Sequence, residues 1–322
     1  MIVKIYMLAV ILADAVFIVL LGHTAIRNRR QMFSEPGRIG LLAVYSFVLQ
    51  FLAAFGVSDF SVSMIVYKKF HLVDDRKIPG TLMNSCVVPV GVMAVGYLTV
   101  IRVEVPTLII CVLCGLAGAM AGTFFVSKMK TETIRNLMLV ALSVAAITTL
   151  IKQLGLVPPG GSSLGFSGWK LVVVAVFTFA MSALSMGGFA STAILLSFFC
   201  LLGLNPVAAF PLAMGTSSLS CAVGGIRYVK KGRFGIKLAV LSTVFGSLGA
   251  VVAVCFVKEM DVKIIQWLIL AVILYSIIVP PFSVSVILRG AKLLMAAPFS
   301  FAAEGRIPWN RTNALLKLSG ES

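Results

Sequence analysis

Long apolar stretches alternate with short polar loops along most of the chain. Nine of these stretches cover residues 5–26, 39–55, 82–101, 106–126, 137–157, 169–184, 207–226, 238–257 and 264–279. Most are close to the roughly 20 residues that an α-helix needs to cross a hydrocarbon core of about 30 Å. The first stretch is predicted to be a membrane helix and not a cleaved signal, because its basic cluster follows it.

Two shorter apolar segments, residues 60–70 and 189–202, do not fit this length. As helices they would extend only about 17 and 21 Å at 1.5 Å per residue, which is too short to span. Each follows a run of small or polar residues, Gly56-Val57-Ser58-Asp59 and Ser185-Met186-Gly187-Gly188. A break inside the membrane is tolerated only where protein or water shields the freed backbone groups. Both breaks are therefore predicted to line a central site.

Lysine and arginine positions predict the topology. If each short segment turns back to form a hairpin with the preceding helix, 21 of these residues lie on one side and 6 on the other. If each broken pair is one long span, the distribution is 17 against 10. The positive-inside rule favours the hairpins. Two full crossings in place of each hairpin would leave all other loops on the same sides, but the short segments are too short to cross. The expected fold is an all-α polytopic membrane protein with about seven spanning helices, two re-entrant or broken helical hairpins, an outer N-terminus and a cytoplasmic C-terminus.

A repeat is visible when the chain is aligned with itself. Gly115-x-x-Gly118-Ala119 recurs as Gly246-x-x-Gly249-Ala250. Upstream, at an offset larger by one position, Leu72, Pro79 and Ser85 pair with Leu204, Pro211 and Ser217. Each copy contains three spans and one hairpin, which is an odd number of crossings, so the second copy starts on the opposite side of the membrane from the first. The two copies are therefore predicted to be inverted, a common transporter design. The predicted divisions are an N-terminal helix and basic loop (1–36), repeat 1 (37–157), repeat 2 (158–284) and a cytoplasmic amphipathic tail (285–322).

Composition supports a bilayer environment. The chain is 60% hydrophobic and 12% charged, with mean hydropathy +1.07. Soluble domains carry about twice that share of charged residues. The net charge of +16 lies in short loops, so no nucleic-acid partner is needed to explain it. The six cysteines lie in apolar stretches without metal-ligand spacing, and no cofactor or metal is expected. The expected partners are the lipid bilayer and a small anion, and association into a homo-oligomer stays open.

Repeat 2 resembles a known transporter family. The carrying motifs are Met186-Gly187-Gly188-Phe189, Leu202-Gly203-Leu204-Asn205-Pro206 and Ala213-Met214-Gly215-Thr216-Ser217-Ser218, followed by the basic loop that begins at Tyr228. Together they resemble the TauE/SafE family of sulfite and organosulfonate exporters, over residues 41 to about 279. The resemblance implies transport of small sulfur-containing anions coupled to the proton gradient. Repeat 1 departs from the pattern, since Asp59 stands where a family member typically has glycine.

Candidate site residues cluster at the breaks and on the helix after each hairpin. Helix N-termini offer N–H donors and partial positive charge to an anion. The candidate substrate-binding residues are Gly56, Ser58, Asp59, Ser61, Asn84, Ser85, Gly187, Gly188, Ser191, Thr192, Gly215, Thr216 and Ser217. The alternative for the hydroxyl residues is ordinary helix packing. Asp59 and Asp14 are candidate proton-coupling acids, because ionisable groups within a membrane are usually functional. The alternative for Asp59 is that it caps the short helix after it.

These observations predict a secondary transporter and not an enzyme. It would export a small sulfur-containing anion, such as sulfite, thiosulfate or an organosulfonate, across a bacterial cytoplasmic membrane by alternating access around the two facing breaks. Two alternatives stay open. One is a membrane-embedded enzyme that uses Asp14 and Asp59, and the other is a passive anion channel.

Overall fold

The protein is helical throughout the part that the structure describes. The computed structural model describes residues 2–55, 57–101, 103–128, 163–189 and 191–259. Its helices are α1 (Ile2–Arg27), α2 (Arg29–Ser34), α3 (Ile39–Ala53), α4 (Asp59–Lys69), α5 (Ile78–Val100), α6 (Val105–Lys128), α7 (Trp169–Ser185), α8 (Ser191–Leu201), α9 (Pro206–Lys231), α10 (Ile236–Leu241), a π-helical turn (Ser242–Gly246) and α11 (Ser247–Glu259). Gly56, the predicted spans 137–157 and 264–279, and the tail 285–322 lie outside the described residues.

Five helical stretches in the described ranges are long and apolar enough to cross a membrane. They are α1, α5, α6, α9 and the continuous run from α10 into α11. The outward face of α1 carries apolar side chains such as Leu12 and Val19, which suits contact with lipid tails. All five coincide with apolar stretches that the sequence assigns to spans. The protein is an all-α polytopic membrane protein.

Each broken segment forms a helical hairpin. Helices α3 and α7 have 15 and 17 residues, and α4 and α8 have 11 each. At 1.5 Å per residue all four are shorter than a hydrocarbon core of about 30 Å. The ends of each pair lie together: Gly37 before α3 lies against Leu72 after α4, and Lys170 Nζ at the start of α7 donates to the Leu202 carbonyl, 3.0 Å away, after α8. The prediction of hairpins in place of single long spans is confirmed.

The loops assigned to the cytoplasmic side meet at one end of the helices. The Glu35 carboxylate accepts from the N–H groups of Ile236 and Lys237 at 3.0 and 2.7 Å, and Thr81 Oγ1 accepts from Gly235 N–H at 2.8 Å. The buried Lys237 ammonium donates to the carbonyl oxygens of Phe33, Glu35 and Gly37. Three of the basic loops therefore share one face, as the charge count predicts.

The loops assigned to the outer side meet at the other end of α5. Glu104 N–H donates to the Leu164 carbonyl at 3.1 Å, and Asn205 N–H donates to the Ser163 carbonyl at 2.8 Å. These contacts join the loop before α6, the loop before α7 and the turn after α8. Hairpin α3–α4 thus enters from one face and hairpin α7–α8 from the other.

The two hairpins end in the same way, at positions that correspond in the two repeats. Leu72 N–H donates to the Tyr67 carbonyl after α4, and Leu204 N–H donates to the Phe199 carbonyl after α8, both at 3.0 Å. The preceding residues, His71 and Gly203, both have left-handed backbone, with φ of 48° and 97°. This chain reversal is a common way to satisfy the last carbonyls of a helix. The predicted repeat is therefore present in the backbone as well as in the sequence.

The repeated glycines pack one copy against the other. Gly118 on α6 lies directly against the Phe179 carbonyl on α7, and Gly249 on α11 lies directly against the Phe47 carbonyl on α3. A Cβ at either glycine would collide with that backbone, so the close approach requires glycine. Each hairpin consequently packs against the other copy's glycine helix. The entry of the two hairpins from opposite faces agrees with the predicted inversion of the copies.

Candidate functional site

The two hairpin tips meet at a pair of adjoining cavities. The first break (residues 54–58) contributes Ser58, and α4 contributes Asp59. The start of α8, after the second break (residues 186–189), contributes Ser191 and Thr192, and α9 contributes Ser217. Apolar side chains complete the walls, among them Val90, Met93, Phe210 and Met214. The first break therefore lines the site, whereas the second break contributes only the residues on either side of it, Ser185, Ser191 and Thr192.

Asp59 is the ionisable group at the centre of this site. Its Oδ1 accepts from Phe60 N–H at 2.9 Å. Its Oδ2 accepts from the Cys86 thiol at 2.8 Å and from Gln50 Nε2 at 3.5 Å. These donors come from α4, α5 and α3, so the carboxylate joins the hairpin to the spanning helix beside it. Among the cavity-lining residues in the described ranges, Asp59 is the one that carries a charge in its ordinary state.

Ser58, and not Asp59, occupies the N-cap of α4. Helix α4 begins at Asp59, and the Ser58 side chain accepts from Ser61 N–H at 3.4 Å. The Ser61 hydroxyl lies 3.0 Å from that of Ser58 and forms part of the same cap. The capping alternative for Asp59 therefore applies to its neighbour, while Asp59 satisfies Phe60 N–H. The N–H groups of Phe60 and Ser61 therefore both have side-chain acceptors.

A buried tyrosine holds each tip. The Tyr97 hydroxyl on α5 donates to the Ala54 carbonyl in the first break, and the Tyr228 hydroxyl on α9 donates to the Met186 carbonyl at the second, both at 2.6 Å. Tyr97 and Tyr228 are separated by the same number of residues as the repeated glycines, and Ala54 and Met186 by the same number as Leu72 and Leu204. The two bonds are therefore equivalent in the two repeats. Each satisfies a carbonyl that a helix end leaves without an intrahelical partner. We call this pair the tyrosine latches.

The two halves of the site share a framework and differ in chemistry. At the offset that relates Leu72 to Leu204, the members of the Asp59 cluster correspond to serines. The pairs are Gln50 with Ser182, Asp59 with Ser191 and Cys86 with Ser218. Ser182 and Ser191 line a cavity that Asp59 also lines. The cluster around Asp59 thus combines a carboxylate, an amide and a thiol, whereas the corresponding positions of repeat 2 carry hydroxyl groups.

Several predicted site residues do not line the cavities. On α5, Asn84 is buried beside Gly225, and neither its amide nitrogen nor its oxygen has a hydrogen-bond partner among the described residues. Ser85 lies near the Tyr67 hydroxyl. On α9, the Gly215 carbonyl accepts from the Tyr6 hydroxyl, and the Thr216 hydroxyl donates to the Leu212 carbonyl within its own helix. For Ser85 and Thr216 the packing alternative describes the observed contacts.

Gly187 and Gly188 form the turn of the second break. Gly187 N–H donates to the Leu184 carbonyl and Gly188 N–H to the Ser185 carbonyl, both at 2.9 Å. Gly188 has φ of 91°, a conformation that L residues rarely adopt. These two glycines set the direction of the tip and do not themselves line the cavities.

Asp14 lies in a different environment from Asp59. It is 9% exposed in the middle of α1 and lies directly against Gly91 of α5. Its Oδ1 has no hydrogen-bond partner among the described residues. The structure therefore gives the two acids separate contacts, and Asp14 does not line the cavities.

Sequence reasoning missed part of the site. The missed residues are Gln50 and Cys86 beside Asp59, the wall residues Ser182 and Ser220, and the tyrosine latches. Gln50 had a signal, because an amide stands within the apolar stretch 39–55. Extending the repeat alignment to Tyr97 and Tyr228 would have found the latches.

Comparisons with protein-family models, with curated proteins and with solved structures find no match to this chain.

Proposed function

We propose that the protein is a secondary transporter that carries a small anion across the membrane by alternating access. The observation that carries this proposal is the meeting of two hairpin tips, entering from opposite faces, at cavities that contain hydroxyl groups and one carboxylate. Transporters built from repeats place their site where discontinuous helices meet. Sulfite, thiosulfate or an organosulfonate is the proposed substrate class, on the strength of the motif resemblance in repeat 2. A bacterial cytoplasmic membrane and outward transport belong to the same proposal.

The packing supports a rocking motion. Each hairpin lies against the glycine helix of the other copy, through Gly118 and Gly249. Glycine at these positions lets the hairpin and the helix of the other copy approach closely without interlocking side chains. With the tyrosine latches intact, each hairpin would move together with the spanning helix that holds its tip, α5 for the first hairpin and α9 for the second. Such a movement would open the site to one face.

We assign proton coupling to Asp59. It lies on the cavity wall between the hairpins, whereas Asp14 lies on α1 away from the cavities. A carboxylic acid that faces each side in turn can carry a proton together with the substrate. A second candidate function follows from the same residue. Because Asp59 is the charged wall residue, a cation or a cationic solute that pairs with it would also fit the site.

A thermal-shift panel on the detergent-purified chain tests the substrate class. It would include sulfite, thiosulfate, taurine, sulfate, carboxylates and monovalent cations. A ligand at a hundred times its dissociation constant stabilises a protein by about 2.7 kcal/mol. A concentration-dependent shift with a sulfur anion, followed by its pH-gradient-driven flux in proteoliposomes, supports the proposal. A shift with cations alone favours the second candidate, and flux without a coupled gradient favours a channel.

A further inference from the structure

We propose that Asp59 is a built-in competitor of the substrate: its carboxylate occupies the donors that an anion would use, so an anion binds only when Asp59 has lost its charge. This inference rests on the proposed function, because it assumes an anionic substrate. It goes further in naming the donors and in making proton uptake a condition of binding.

The Asp59 carboxylate is held as a bound anion would be held. Phe60 N–H at the start of α4 donates to Oδ1 at 2.9 Å, and the Cys86 thiol donates to Oδ2 at 2.8 Å. The Gln50 amide approaches Oδ2 at 3.5 Å. An N–H at a helix N-terminus together with two side-chain donors is a typical anion site. Here a residue of the chain itself fills it.

The Gln50 side chain indicates that this site also accommodates Asp59 in its protonated, neutral form. Its side chain is fully buried, and its Oε1 has no hydrogen-bond partner in the described part of the chain. A buried amide oxygen without a partner is costly, so a donor is expected to reach it in some state of the protein. Protonated Asp59 has such a donor, because its hydroxyl group can bond Gln50 Oε1. A protonated Asp59 side chain that turns toward Gln50 to make this bond moves its oxygens away from the thiol and from Phe60 N–H, and these two donors become available to another oxygen atom.

The Asp59 carboxylate and a bound anion exclude each other because both carry negative charge. The titratable groups that face Asp59 are the phenols of Tyr45 on α3 and Tyr67 on α4, and the thiols of Cys86 on α5 and Cys221 on α9. Phenols and thiols are neutral at neutral pH in their ordinary state, so none of these groups offsets a second negative charge. Repulsion between two unit charges about 4 Å apart weakens binding on the order of a thousandfold at an effective dielectric of 20. One proton on Asp59 removes that repulsion.

The test measures thiosulfate binding to the purified full chain by calorimetry between about pH 5 and about pH 9, a range in which the charge of thiosulfate does not change. In the wild type, affinity should fall by up to about tenfold per pH unit once Asp59 ionises. Asp59→Asn should bind at every pH at least as tightly as the wild type does at low pH. Asp74→Asn is the matched control, since Asp74 is exposed and 3.9 Å from Lys77 at the surface. It should keep the wild-type profile.

Two results would overturn the competitor role. They are an Asp59→Asn variant that keeps the wild-type slope, and a folded Asp59→Asn variant that no longer binds thiosulfate while the wild type does. A second pair of variants removes the dependence on that one substitution. Cys86→Ala should weaken binding at low pH by about 5- to 10-fold through loss of one donor, and Cys86→Ser should restore it. Equal binding by both variants would remove Cys86 from the donor set and contradict the inference. If no sulfur anion binds the wild type at any pH, the proposed function itself fails.

Discussion

The tyrosine latches allow a prediction that is specific to each half of the molecule. Tyr97→Phe removes the hydroxyl that donates to the Ala54 carbonyl, and Tyr228→Phe removes the one that donates to Met186. Ala54 is 3% and Met186 0% exposed, so water does not readily replace the lost donor. An orphaned buried carbonyl costs about 1–3 kcal/mol. Hydrogen bonds within membrane proteins average about 0.6 kcal/mol and reach about 1.7 kcal/mol. We therefore expect a cost of about 1–2 kcal/mol for each latch.

Hydrogen exchange at the backbone amides of the breaks measures this cost directly. A loss of about 1–2 kcal/mol raises the population of a locally opened tip by about 5- to 30-fold. Tyr97→Phe should accelerate exchange in the first break and leave the second unchanged, and Tyr228→Phe should do the reverse. The double variant should show both effects, because distant sites without shared partners contribute additively.

Tyr67→Phe is the matched control. Tyr67 is also buried, but its hydroxyl lies 3.5 Å from the Ser85 hydroxyl and contacts no tip carbonyl among the described residues. It should leave exchange in both breaks close to that of the wild type. The latch argument would be refuted if Tyr97→Phe accelerated both breaks equally, or if neither latch variant changed its own break.

Three further changes test the framework. Gly249→Ala places a Cβ against the Phe47 carbonyl, and we expect about 1–3 kcal/mol less stability in SDS unfolding; an unchanged midpoint would contradict the close approach. Lys237→Met leaves three carbonyl oxygens without their charged donor and should cost about 1.5–3 kcal/mol by the same assay, a cost that a merely exposed lysine would not show. Gly188→Leu forces a bulky residue to φ of 91° and should abolish flux with the protein still inserted, whereas Gly232→Leu, at φ of 62° in open space, should retain flux. Normal flux by Gly188→Leu would move the site elsewhere.

The hairpins were predictable because the length of each short segment and the residues at its start can be read from the sequence. A helix of 11 residues cannot cross a bilayer, and a run of glycine or serine before each short helix marks where the backbone leaves the helix. The structure starts α4 at Asp59 and α8 at Ser191, each close to the start of the predicted short segment. Loop charge then decided between a hairpin and a long span, and the contact of Lys170 with Leu202 agrees with that choice.

The side chains of the site were less predictable, because the rotation of a helix about its axis cannot be read from apolar residues on all sides. Successive residues point about 100° apart at 3.6 residues per turn. Ser217 therefore lines a cavity, while Thr216 beside it bonds its own helix. Cys86 bonds Asp59, but in the sequence it lies in an apolar stretch like the other five cysteines. The partners of Tyr97 and Tyr228 lie 43 and 42 residues away in sequence, a pairing that no local pattern encodes.

The near-constant offset between the repeats makes each half of the chain a reference for the other. Positions that match, such as the latches and the packing glycines, mark what any hairpin of this design needs to fold. Among the positions that differ are all three members of the Asp59 cluster, Gln50, Asp59 and Cys86. A symmetrised chain with Gln50, Asp59 and Cys86 all replaced by serine should therefore still fold. Its two halves would then carry hydroxyl groups at corresponding positions. A comparison of its substrate binding and flux with those of the wild type would separate the contribution of the shared framework from that of the chemical difference between the repeats.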